Sequence, residues 1–149
     1  MASTSAIDVA EDALLALLAA DTTLSALGLG VPQLGEPQTP AREHVWIYEE
    51  ASTTQRQVVT GATRGRRMET AELRVGVLVA KTKDYLTCRN RVTVLTAIVE
   101  DLVRNTPKLG SADVYDTELI RTDRFSAPLG DGMRAVLNIV VLQVRAYLA

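Results

Sequence analysis

Few residues in this 149-residue chain carry the chemistry of a catalyst. There is one histidine, His44, and one cysteine, Cys88. A catalytic nucleophile needs a base within hydrogen-bond reach, and that base needs an orienting acid. His44 stands beside Glu43 where a strand is expected to begin, while Cys88 falls on the apolar stripe of a long helical segment. They read as a capped or exposed histidine and a core thiol. A single cysteine excludes an intrachain disulfide, and one cysteine with one histidine cannot build a Cys/His zinc set within the chain. Glu49 and Glu50 are neighbours in an expected strand, so they should point to opposite faces and cannot share a proton there. Asp113, Asp116, Glu118, Asp123 and Asp131 are spread over a C-terminal hairpin without the Asp-x-Asp-x-Asp-Gly spacing of a calcium loop, and read as solvated edge charges. No catalytic residue, metal ligand or cofactor is expected, and the chain is read as a non-enzyme.

One charged cluster remains. Gly61-Ala62-Thr63-Arg64-Gly65-Arg66-Arg67 has the outline of a phosphate loop but lacks the Gly-Lys-Ser/Thr step and the following helix that make amides and lysine converge on phosphate. Arg56, Arg64, Arg66 and Arg67 nevertheless concentrate positive charge in one stretch. Such a stretch suits phosphate or an acidic neighbour, or it is a solvated hairpin tip. No aromatic residue is interleaved with these arginines, so a stacking platform for single-stranded nucleic acid is not indicated. The formal net charge of −2 gives no global reason for binding nucleic acid or an anionic membrane.

The elements that must position these residues follow from periodicity. Ser5 and Asp8 make a capping-box-like start, and Ile7, Ala10, Leu14, Leu17 and Leu18 recur at helical spacing until Asp21. Leu24, Leu27 and Leu29 suggest one further turn. Gly28, Gly30, Pro32, Gly35, Pro37 and Pro40 then predict a loop to Arg42. Val45 to Glu49 reads as a short strand with Val45, Ile47 and Glu49 on one face and Trp46 and Tyr48 on the other. The polar stretch 51–68 reads as a weak, mobile hairpin arm. From Glu69 to Ala80 the alternation is clean, with Leu73, Val75, Val77 and Val79 on one side. Tyr85, Cys88, Val92, Leu95, Val99 and Leu102 define a major amphipathic helix that begins near Asp84 and ends before Asn105-Thr106-Pro107. Two strands follow, Val114 to Phe125 and Met133 to about Leu148.

These elements predict an α+β fold: one antiparallel sheet of four to five strands flanked by two main helices, in the order α-β-β-β-α-β-β. The length fits one domain over 1–149, which can bury about 68–70% of its unfolded surface. With 47% hydrophobic but only 4% aromatic residues, the core should be aliphatic. The start Met1-Ala2-Ser3-Thr4 lacks the cationic region of a signal peptide, and acids interrupt the apolar run before membrane-spanning length, so a soluble protein made in a cytoplasm is expected. The last strand is apolar on both faces, and the face away from the helices needs a cover, either a neighbouring subunit or the N-terminal helix or loop folded over the back. Leu137 and Leu142 lie on opposite faces of this strand, so one belongs to the core and the other is a candidate for an interface.

The run Ala13 to Gly28, in which an Ala/Leu helix closes on Asp21 and restarts at Leu24-Ser25-Ala26-Leu27, leads through a Pro/Gly-rich loop to Val45-Trp46-Ile47-Tyr48. This succession resembles the N-terminal half of the tail-terminator (tail-completion) proteins of long-tailed bacteriophages. The resemblance extends over the chain in element order. It implies a homohexameric ring on the head-proximal end of the tail tube, contacting the tube protein on one side and the head-completion protein on the other. DNA would pass through the lumen unread, no membrane would be involved, and the subunit would assemble in the host cytoplasm. The arginines of the arm and Leu137 or Leu142 are the assembly candidates. Other neck components, such as head–tail connectors or stoppers, share this small α+β character. A cytoplasmic ligand-binding or regulatory α+β domain is the reading from a different class.

Overall fold

The computed structural model describes residues 5–26, 32–38, 42–57, 67–80, 83–129 and 132–148. Helix α1 (Ala6–Ala20) starts where Ser5 Oγ accepts the N–H of Ile7 at 3.2 Å. Asp21 closes α1 by donating its N–H to the Leu18 carbonyl, and its Oδ1 accepts the N–H of Leu24 at 2.8 Å, opening the single-turn helix α2 (Thr22–Ala26). Helix α3 (Tyr85–Asn105) begins at Asp84, whose carboxylate accepts the N–H groups of Leu86 and Thr87 and the hydroxyl of Thr87. Those bonds hold the Asp84 carboxyl below its ordinary pKa, the Thr87 hydroxyl contributing most.

Among the described residues six strands form one sheet: β1 (Gln33–Leu34), β2 (Glu43–Ile47), β3 (Ser52–Gln57), β4 (Arg67–Val79), β5 (Val114–Pro128) and β6 (Arg134–Leu148). Their order is β1-β2-β4-β6-β5, with β3 also paired to β4. All pairs are antiparallel except β1 with β2, which run parallel over two residues. The expected loop from Gly28 to Arg42 thus contains a strand. Two residues are too few to show a period among prolines and glycines. The first long strand also sits two residues earlier than its pattern suggests, at 43–47.

One flank of β4 is spanned by β6 along all 13 residues, while the other is shared end to end by β2 and β3. Between the Ile47↔Val75 and Ser52↔Glu72 pairs, residues 48–51 face only 73–74, so the chain steps outward there before pairing resumes. At the base of the expected hairpin arm, Ser52–Gln57 pairs with Arg67–Glu72. Its tip, residues 58–66, lies outside the described residues, and so does its expected mobility.

Both main helices pack on the same sheet face. Ala6, Ala10, Leu14 and Leu18 of α1 and Cys88, Val92, Leu95, Val99 and Val103 of α3 share one buried cluster with Leu73, Val75, Val77 and Val79 of β4 and Val140, Leu142 and Val144 of β6. Each such Val or Leu contributes about 1.5–3 kcal/mol by leaving water. Polar latches fix the register of helix on sheet. Glu69 Oε2 accepts the N–H of Ala6 at 2.9 Å, so a buried sheet carboxylate caps α1 from 63 residues away. Asn138 donates to Thr96 Oγ1 at 2.9 Å and accepts from Arg124 Nε at 2.9 Å, and Arg124 also donates to Thr93.

Candidate assembly surfaces

The groups that could do chemistry are kept apart. In β2, Val45 and Ile47 face the helix-side core, so His44 and Trp46 face the opposite way. Cys88 is fully buried on the helix side, its thiol 3.7 Å from the carbonyl of Arg134. The sheet itself stands between His44 and Cys88. Asp116 is ion-paired with Arg145 and Asp123 with Arg121, and Asp131 lies outside the described residues. Among the described residues no three of His, Cys, Asp and Glu are grouped to hold a metal ion.

The outer face of the sheet, opposite the helices, divides in two. Cross-strand pairing builds one row from His44, Leu78, Leu137 and Phe125, and the next from Trp46, Gly76, Ile139 and Asp123. Leu78, Leu137 and Ile139 are half-buried and Phe125 is 55% exposed. The indole of Trp46 lies over Gly76 so closely that a Cβ there would sit 2.6 Å from Trp46 Cε2. It is flanked by the rings of His44 and Tyr48, with centroids 6.2 and 5.6 Å away. Toward the other end the rows turn polar. Arg74 and Arg121 flank Val141, Glu72 and Glu118 flank Gln143, and Thr70 and Asp116 flank Arg145. The side chains flanking Val141 help to keep it fully buried on a face that has no helix.

The two candidates in the last strand lie on opposite faces of the sheet. Leu142 is fully buried against the helices, whereas Leu137 is the half-buried one on the outer face. The N-terminal helix covers the core side and is not the cover of the outer face.

No protein-family model and no curated protein matches this sequence. Among solved structures, the chain is similar to one described as "Virion of native gene transfer agent (GTA) particle", with a TM-score of 0.66 and 16% identity. The match covers 97% of this chain and 99% of that one. The likeness is one of fold. It extends over nearly the whole length of both chains.

Two further features concern charged groups. In the hairpin, Arg56 is in register with Met68 and Gln57 with Arg67, which puts Arg56 and Arg67 at the same end of the paired segment; Arg64 and Arg66 lie outside the described residues. The second feature is acidic and was not legible. Glu49 and Glu50, expected on opposite faces of a strand, instead occupy the step between β2 and β3, where strand alternation does not apply. With Glu36 and Tyr48 they line one shallow hollow, and Glu49 packs over Gly35, which needs its positive φ of 83°. Burial, then the charges of Glu36 and Glu50, push the Tyr48 hydroxyl above its ordinary pKa, against a lowering contribution from Trp46. Burial and the neighbouring Asp8, Asp12 and Glu49 raise Glu11 of α1 in the same way. The signal that could have found this hollow is the pair Gly35-Glu36, a turn glycine that brings an acid back beside the strand.

Proposed function

We propose that this chain is a structural virion protein of the tail-terminator kind, forming a ring that caps the head-proximal end of a phage-type tail tube. In this reading it ends tube polymerisation and offers the joint to a head-completion protein, while DNA passes through the lumen unread. The observation that carries the proposal is the end-to-end fold likeness to a chain of a phage-like virion. It is supported by a sheet with helices on one face only and an apolar half-face of Leu78, Leu137, Ile139 and Phe125 left on the other. Packing of that kind suits a subunit that completes its burial against neighbours. A closed ring needs a heterologous contact, one patch meeting a different patch on the next copy. The role requires no catalytic group, cofactor or metal. Among the described residues no helix is long and apolar enough to cross a membrane.

The test is removal of the protein from the particle-producing strain. Tails of uncontrolled length, or tails that fail to join filled heads, are expected, while tube subunits and capsids still form. Tails of normal length joined to heads would rule the role out. Gold-labelled antibody on intact particles should mark the head-proximal end of the tail; label confined to the head vertex would reassign the chain to another neck component.

A further inference from the structure

Two charge-poor surfaces lie on opposite sides of this subunit, one on the helix layer and one on the sheet. The outward stripe of α3 runs through Leu86, Asn90, Val94, Ala97 and Asp101, opposite the buried Cys88, Val92, Leu95 and Val99, and all five are exposed. Among the described residues of the two main helices, the large apolar side chains in the exposed class are Tyr85, Leu86 and Val94, all on α3. Leu86 and Val94 expose 50% and 51% of their surface. Of the exposed residues from Tyr85 to Ala97 only Arg89 is charged, because Arg91 is half-buried against Glu43. The last turns carry Glu100, Asp101 and Arg104. The outer sheet face divides in the same manner. Beside the buried His44, its apolar half around Leu137, Ile139 and Phe125 carries one acid, Asp123. Its polar half begins with Arg74 and Arg121 on either side of Val141, followed by Glu72 and Glu118 on either side of Gln143.

We infer that the outward stripe of α3 in one copy lies along the outer sheet face of the next, so that a second copy of this chain supplies the helix layer that face lacks. This rests on the ring reading above and names its joint. Helices on both faces of a sheet are a stable layering, and contact between the two charge-poor halves leaves the surrounding charges to set direction. Relative to Val94, the rise of a helix places Leu86 about 12 Å and Arg89 about 7.5 Å back, with Asp101 about 10.5 Å and Arg104 about 15 Å ahead. Successive outer-face rows of β6 lie about 7 Å apart. With Val94 over Ile139 and α3 running as β6 runs, Leu86 reaches Ala135. Arg89 then lies over Leu137, within an arginine's reach of Asp123 in the next row. Asp101 falls just past Val141, beside Arg74 and Arg121, and Arg104 falls at Gln143, between Glu72 and Glu118. Arg89, Asp101 and Arg104 each meet an opposite charge. Reversed over the same patch, with Leu86 over Ile139, α3 would bring Lys83 to the row of Arg74 and Arg121 and carry Asp101 and Arg104 past Ala135, away from the charged rows. Within one copy Arg121 is paired with Asp123, Arg74 with Glu72 and Arg104 with Asp101; these are exposed pairs that hold weakly and exchange partners at little cost. Because the helix face and the sheet face differ, the contact is heterologous, as ring closure requires.

The test uses two full-length variants. Leu86→Lys with Val94→Lys blocks the helix stripe, and Asp123→Lys with Phe125→Lys blocks the sheet face. The four positions are exposed or half-buried, so the circular dichroism of both variants should match that of the parent. Each alone should stay monomeric at about ten times the concentration at which the unmodified chain assembles. Mixed in equal amounts they should form a dimer and nothing larger, since each keeps the face the other lacks. A mixture that stays monomeric overturns the pairing, and so does a dimer of the helix-blocked variant alone, which would mean that two sheet faces meet each other. Single changes read the direction: Asp101→Lys should raise the concentration needed for assembly about tenfold at low salt and less at high salt, while Lys83→Glu leaves it unchanged. Assembly that is strengthened by Lys83→Glu or indifferent to Asp101→Lys overturns the charge match. A helix-blocked variant that forms rings as the parent does overturns this joint and leaves the ring reading standing. An unmodified chain that stays monomeric at every concentration overturns both.

Discussion

Arg91 of α3 grips Glu43 of β2 through both carboxylate oxygens, Nε lying 3.0 Å from Oε1 and Nη2 2.9 Å from Oε2. The Glu43 side chain is 5% exposed and that of Arg91 28%, so the pair joins the long helix to the outer part of the sheet at the edge of the core. The two ends are not equivalent. Removing the guanidinium leaves a carboxylate in a buried position, whereas removing the carboxylate leaves a cation that reaches water. Arg91→Met should therefore lower unfolding stability by about 3 kcal/mol and Glu43→Gln by only about 1 kcal/mol. Urea denaturation of both variants checks the order; a larger loss for Glu43→Gln would refute it.

Gly76→Ala should disturb the outer face through Trp46. The added carbon would lie 2.6 Å from Cε2 and 2.8 Å from Cζ2, and a ring cannot yield as the tip of a flexible chain does. Overpacking of this kind costs about 1–3 kcal/mol. Trp46 is the sole tryptophan, so its emission should shift to the red as the indole is displaced from its 2%-exposed seat. Unchanged emission and stability would mean that the ring does not rest on Gly76.

Leu137 and Leu142 should separate folding from assembly. Leu142→Asp buries an unpaired charge beneath the helices, and a loss of about 4 kcal/mol or more should unfold the subunit. Leu137→Asp alters the outer face and should leave circular dichroism and thermal midpoint near those of the parent while reducing ring formation. A folded Leu142→Asp subunit would contradict the burial described for this strand.

Glu11 sets a pH dependence. Its folded pKa is raised above 4.5 by burial and by Asp8, Asp12 and Glu49, so the folded state binds the proton more tightly than the unfolded one. The contribution is favourable below about pH 4.5 and is lost as pH rises through the raised value. Glu11→Gln should accordingly raise stability at pH 7 by a few tenths of a kcal/mol, the carboxylate being only partly shielded from water. The difference should close toward pH 4, as thermal melts across the range will record. A gain that is as large at pH 4 would assign the effect to something other than the charge.

Much of the fold was legible because its periods are strong. The stripe of α3 and the alternation of β4 identify those elements and their buried faces, except that Tyr85 is exposed and Val103 replaces Leu102 as the fully buried position. The two apolar faces of β6 were visible too, but not which one the helices cover. That depends on pairing β6 with β4, a register no local pattern encodes. Tertiary partners misled the reading of β2. The strand pattern starts only at Val45, and Glu43 and His44 are drawn into β2 with Arg91 and Trp46 placed against them, while Tyr48, a good strand former, falls in the step. The candidate site divides along the same line. The arginine-rich hairpin is a matter of composition and could be read directly, whereas the acidic hollow of Glu36, Glu49 and Glu50 and the apolar half of the outer face exist only once the sheet is assembled.

The strand order has a consequence in time. Because β6 lies between β4 and β5 yet follows both in the chain, neither neighbour can close its ladder until residues 134–148 have left the ribosome. Synthesis delivers two long, incompletely paired strands first and the piece that unites them afterwards. Until β6 is complete, the nascent chain therefore lacks the strand that links β4 to β5. The same order makes interruption within β6 far more damaging than nicking of the hairpin near its tip, which a protease titration scored by refolding yield would register directly.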